Sequence, residues 1–266
     1  MGAAAVGGRV RTAFLTPREH RALARRASTQ AQHAFAQGLA AWDQGHAALA
    51  WDWLERAARL APESAQVLFP LAMAQQAVGL PDRAITTLQT LLARYDVREG
   101  WLLLASLCLA QDRAQGGGGP LLRRAVAAVG HLLSSYACRA DSAALAAAVA
   151  QAAGLGPWCG LLPSGQLVTG GGVLAPVLRV GGRAVPALAQ GGAWFWPGMG
   201  EGLHAAVPPQ HGAVWSQGQA VFPLSGLFPA RMNQCAGLIW RTRHGLRGWA
   251  WFPYDPARLP VLRVLD

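Results

Sequence analysis

Carboxylates, imidazoles and thiols are the groups that could carry a reaction, and this chain spaces them too widely for one. Its 266 residues hold 13 Asp and Glu and seven His. Beyond Gly154 the acids are Glu201, Asp255 and Asp266, so the paired carboxylates of glycoside hydrolysis are missing there. No Asp-x-Asp, G-x-S-x-G, P-loop or HExxH motif occurs. His20, His33, His46, His131, His204, His211 and His244 show no ligand spacing. Cys108, Cys138, Cys159 and Cys235 form no CxxC pair and read as separate, mostly buried thiols. Ser225, between Leu224 and Gly226, reads as a turn residue. The expectation is therefore no catalytic residue, no metal and no cofactor; a hydrolase of unrecognised type is the alternative that the acid count disfavours. Contact chemistry is better supplied. Seven of the eleven tryptophans lie beyond Gly154: Trp158, Trp194, Trp196, Trp215, Trp240, Trp249 and Trp251. Indole rings stack on sugar rings, which makes Trp194, Trp196 and Trp251 the candidate stacking residues of a carbohydrate-binding module; the competing reading is a plain tryptophan-rich core.

Composition narrows the partners. Hydrophobic residues make up 52%, ample for a core and too many for a disordered chain. The net charge is +10, but all 23 basic residues are Arg and most are scattered. Only Arg18, Arg21, Arg25 and Arg26 form a dense run, so a clustered basic face for nucleic acid is not expected. No run approaches the length of a membrane span. The short apolar stretch Ala3-Ala4-Ala5-Val6 is followed, not preceded, by charge, unlike a secretory signal, so a cytoplasmic location is expected.

The elements that must position these residues come in two styles. Residues 1–15 read as a flexible tail and residues 16–153 as a helical array. Thr16-Pro17-Arg18-Glu19 is a helix-start signature, with the helix expected to run to about Thr29. From Ala31 the sequence matches itself at an offset of 34: Gly45 falls on Gly79, Ala50 on Ala84, Leu54 on Leu88 and Ala57 on Leu91. Small residues at Gly38, Ala50 and Ala57 would let paired helices approach closely. A third unit is expected at Gly100–Ala114, then a flexible insertion at Gly116–Gly119, a helix from Leu121 to about Tyr136, and a last helix capped by Asp141 or Ser142 and ending near Ala153.

With its small residues at Gly38, Ala50 and Ala57, turn glycine Gly45 and closing Pro62, then Ala72, Gly79, Ala84 and Leu88 in the next copy, this region resembles the tetratricopeptide (TPR) repeat family. Ala34 and Ala41, then Leu68 and Gln75, stand where that family has its first-helix Trp and Tyr, and Asp96 stands in the second proline place. The resemblance implies antiparallel helical hairpins with a concave partner groove lined by Gln32, Phe35, Leu39, Trp42 and Asp43, then Gln66, Phe69, Met73 and Gln76. It implies a protein or peptide partner. The family's carboxylate clamp needs Lys, Asn and Arg at such positions, and none is present.

Beyond Gly154 short apolar runs alternate with Gly and Pro, the pattern of an all-β sandwich. Strands are expected at 166–169, 173–180, 183–188, 213–215 and 220–222, with turns at Pro163-Ser164-Gly165 and Gly181-Gly182. The β module is placed at 157–234. Residues 235–266 are either its last strands or a second, incomplete module, because Pro176–Val180 reappears as Pro260–Val264. The segment from Gly248 to Val261 resembles the GWAW-x-P-x-DP linkers of multidomain bacterial proteins in which TPR repeats and β modules precede a family-2 glycosyltransferase domain. That resemblance implies a non-catalytic scaffolding region whose partner could be a catalytic domain of the same polypeptide.

Overall fold

The computed structural model describes residues 17–162, 167–180, 183–190, 193–196, 213–217, 219–223, 235–242 and 245–252. The expected tail, the Thr16 cap, the two turns, Ser225, the acids Glu201, Asp255 and Asp266 and the echo at Pro260–Val264 lie outside them, as do the side chains of Arg18, Arg21, Arg25 and Arg26. Among the described residues seven helices come first: α1 Pro17–Asp43, α2 Ala47–Leu60, α3 Ala65–Ala77, α4 Pro81–Leu92, α5 Arg98–Ala114, α6 Pro120–Ser135 and α7 Ala140–Ala153. Short antiparallel strands follow. No helix among the described residues is long and apolar enough to cross a membrane. Two compact units divide the chain between Leu91 and Leu92.

In the first unit, local geometry repeats with the sequence. α4 starts 34 positions after α2, and both put the same face inward: Ala50, Leu54 and Ala57 on α2, and Ala84, Leu88 and Leu91 on α4, all fully buried. The turns are equivalent as well. Gly45 and Gly79 each have φ of 78°, a left-handed conformation that glycine adopts without a Cβ penalty. His46 donates its N–H to the Ala41 carbonyl at 2.9 Å, and Leu80 donates to Gln75 at 2.8 Å. Gly38 is packed against Leu54 so closely that a Cβ there would lie 2.7 Å from Leu54 Cγ. The helix expected to stop near Thr29 does not: α1 runs on to Asp43, because no Gly or Pro interrupts Arg18 to Gln37. Across the α2–α4 surface, Arg83 pairs with Glu55 at 3.6 Å and lies 5.8 Å from the Trp51 ring.

The second unit begins with α5. The Gly116–Gly119 loop after it is held rather than loose. Asp112, 3% exposed, accepts the N–H of Gly118 through Oδ2 at 2.9 Å and that of Gly119 through Oδ1 at 2.8 Å, and its carbonyl accepts Gly117 N–H at 2.8 Å. At the start of α7 the cap position is Arg139, whose N–H is received by Ser142 Oγ at 2.9 Å; the Asp141 carboxylate takes Ser142 N–H and the Arg98 guanidinium. Among the described residues ten strands follow: β1 Trp158–Leu161, β2 Leu167–Gly170, β3 Val177–Val180, β4 Arg183–Pro186, β5 Leu188–Gln190, β6 Ala193–Phe195, β7 Ala213–Ser216, β8 Gln219–Pro223, β9 Ala236–Thr242 and β10 Gly245–Trp251. They pair in the orders β1-β2-β6-β5, β4-β3-β7-β8 and β10-β9. Every pairing is antiparallel, and β3 meets β4 from Val180↔Arg183 outward, across the Gly-Gly position. Cys159, Leu161 and Leu167 from the first sheet, Leu178 and Val214 from the second, and Trp196 form one buried cluster with Ala137. Cys138 N–H bonds to Leu161 carbonyl at 2.6 Å, so the α6–α7 junction is stitched to β1.

Candidate functional site

The nine residues of the expected groove lie on the carboxyl-terminal half of α1 and on α3, where eight fall at equivalent positions, Gln32 with Gln66, Phe35 with Phe69, Leu39 with Met73 and Trp42 with Gln76, and Asp43 stands without a counterpart among them. The polar members Gln32, Asp43, Gln66 and Gln76 are exposed, and Phe35, Leu39, Trp42, Phe69 and Met73 are half-buried. Phe35 and Trp42 pack on the cluster of Ala41, Ala50, Leu54, Leu71 and Ala74, so their inner faces belong to the core. Three of the nine, Gln32, Phe35 and Gln66, line one concavity of about 420 Å³ with Ser28, Ala31, Leu60, Ala61, Ser64 and Val67. Leu39, Trp42, Asp43, Phe69, Met73 and Gln76 are not part of that concavity.

Its chemistry follows from its lining. Phe35, Leu60 and Val67 supply an apolar floor, and two primary amides offer donors and acceptors at the rim. Pro70 lies inside α3 and has no N–H, so the Gln66 carbonyl lacks its intrahelical donor. Among the described residues, those that line the concavity are apolar or neutral and polar, which suits binding of a neutral hydrogen-bonding chain.

The candidate stacking tryptophans are placed differently. Trp196 is fully buried, and its Nε1 donates to the Val185 carbonyl at 2.9 Å, so it offers no ring face to a sugar. Trp194 is half-buried and donates to the Val173 carbonyl at 2.8 Å. The Trp251 side chain lies outside the described residues. Among the described residues, the exposed indoles are Trp240 on β9 and Trp249 on β10, at 46% and 56%.

Sequence reading missed one polar constellation in the second unit. Asp96 Oδ1 accepts from His131 Nε2 at 2.8 Å, Tyr136 hydroxyl at 2.8 Å and Trp101 Nε1 at 2.9 Å. Trp101 lies against His131 with ring centroids 4.5 Å apart. Burial pushes the Asp96 carboxyl upward, but the three hydrogen bonds outweigh it and hold the group below its ordinary value. The ionised carboxylate fixes the His131 proton on Nε2. Trp101 is five residues from Asp96, but His131 and Tyr136 are 35 and 40 away, so no local spacing announced them. Their role is to tie the segment before α5 to the end of α6. Among the described residues, no group of three or more His, Cys, Asp or Glu could hold a metal ion.

A second concavity, about 190 Å³, lies in the same unit among α6, α7 and the start of β1. It is lined mostly by apolar groups, including Val129, Leu133, Val149, Leu155 and Trp158, together with Cys159. Burial raises the Cys159 thiol far above its ordinary value, which keeps it protonated and poorly nucleophilic. Compared with known proteins, the chain matches no family model and no curated protein.

Proposed function

We propose that this chain is a non-catalytic binding region in which TPR-type helical hairpins hold a peptide against α1 and α3, followed by a β-sandwich. The observation that carries the reading is the concavity lined by Gln32, Phe35 and Gln66, which combines an apolar floor with exposed amides. An extended peptide fits that chemistry: its amide groups bond the Gln side chains, and one apolar side chain covers Phe35. The equivalent turns at Gly45 and Gly79 and the shared buried faces of α2 and α4 support the repeat assignment. Peptides selected on the full chain from a random display library should lose affinity roughly tenfold in the Gln32→Ala, Gln66→Ala double variant, the effect of losing one or two hydrogen bonds. Both side chains are exposed, so the melting temperature should not move. A selection yielding only peptides indifferent to these substitutions removes the reading.

The likeness of Gly248–Val261 to linkers ahead of family-2 glycosyltransferase domains supports a place for this region in a larger sugar-transferring protein. Only Gly248–Phe252 of that segment lies among the described residues. The reading frame beyond Asp266 tests it: an in-frame nucleotide-sugar transferase domain supports the parentage, and its absence ends it.

A further inference from the structure

β9 and β10 form a two-stranded ribbon whose register pairs Trp240 with Arg247 and Leu238 with Trp249. Cross-strand partners and residues two apart share a face of a ribbon, so these four side chains stand together on one side. All four are open to solvent: Leu238 is 58%, Trp240 46% and Trp249 56% exposed, and Arg247 is exposed. The two half-open indoles alone present roughly 200 Å² of aromatic surface. A contiguous aromatic and aliphatic face of this kind is a candidate interaction site.

The residue types say what it meets. Ala236–Trp251 contains not one Asp, Glu, Asn or Gln, its Arg247 shares the side that carries the indoles, and the chain has a net charge of +10. A sugar would need the missing carboxylates or amides for its hydroxyls. A second copy of the ribbon would bring Arg against Arg. A nucleic-acid strand could stack on the indoles but would leave Leu238 without a match. An anionic bilayer uses everything present. Indoles settle at the headgroup level, leucine enters the acyl boundary, and Arg247 meets the negative surface potential.

We propose that the Leu238–Trp240–Arg247–Trp249 face docks the protein peripherally on an anionic lipid surface. This inference is independent of the peptide groove. The full chain should co-sediment with mixed phosphatidylglycerol–phosphatidylcholine vesicles, bind phosphatidylcholine vesicles far less, and be released by salt. Trp240→Ala with Trp249→Ala should lower partitioning at least tenfold, and Arg247→Gln about fivefold, the worth of one basic residue near such a surface. Lipids brominated in the acyl chain should quench tryptophan fluorescence of the unaltered chain, which tests the contact even if the double variant fails to fold. Absence of sedimentation with phosphatidylglycerol, equal binding by a folded double variant, or binding to a single-stranded oligonucleotide in place of vesicles overturns the proposal.

Discussion

Asp96 shows how one carboxylate can order a segment. Its pKa lies below the ordinary value because three donors favour the charged form more than burial opposes it. Asp141 behaves alike: burial raises its carboxyl, and the hydrogen bonds from Arg98 and Ser142 N–H overcome that rise. For a depressed carboxylate, the stabilisation is complete above the unfolded-state value of about 4 and fades as pH falls through the lower folded-state value. Asp96→Asn should therefore flatten part of the acid limb of stability, measured by urea unfolding from about pH 5 downward, and adding Asp141→Asn should flatten it further. An acid limb of unchanged slope in the single variant would show that Asp96 contributes nothing to it. This node was invisible in the sequence because its members come from a linker, a helix interior and a helix end. Its one local hint was an acid standing where the repeat resemblance has a proline.

The helices were the readable elements. Close helix contact demands small residues at fixed spacing, and Gly38, Ala50 and Ala57 announced it. Gly38→Ala tests the contact directly. Alanine favours a helix over glycine by about 1 kcal/mol, yet the new methyl would meet Leu54 Cγ at 2.7 Å. Overpacking should win, giving a net loss of about 1–2 kcal/mol in denaturant unfolding, with partial rescue when Leu54 is shortened to Val. A gain in stability would show that the helices part easily. The continuation of α1 past Thr29 was missed because a capping signature marks where a helix begins, and nothing local marked an end before Gln44. β2, β3, β4, β7 and β8 were legible as short apolar runs set off by Gly and Pro, whereas β1 and β6 were not among the expected runs. Of the expected groove, Gln32, Phe35 and Gln66 meet at one concavity; helical spacing places residues on a face but does not say where that face is hollow.

At the scale of the molecule, the two compact units handle their polar groups differently. The first has no cysteine, and all four thiols belong to the second. Cys108, Cys138 and Cys159 are buried and Cys235 is exposed. Burial raises all three inner thiols, Cys138 to about 11. At about pH 8 an aromatic disulfide reagent should titrate Cys235 quickly and the other three only on unfolding, so their release reports the integrity of the second unit alone. Prompt reaction of two or more thiols in the native protein would contradict that burial.

The glycines at 116–119 look, as letters, like the natural place to cut, tag or lengthen the chain. The Asp112 carboxylate makes them the opposite. Its two oxygens close on consecutive amides of the loop, and its own carbonyl takes a third. A run of residues that would otherwise wander is thereby given one shape by a single side chain on the helix before it. An insertion there would separate the amides that Asp112 holds together and expose a buried charge. For anyone building a permuted or fused version of this protein, the most linker-like stretch of the described chain is the one to leave intact.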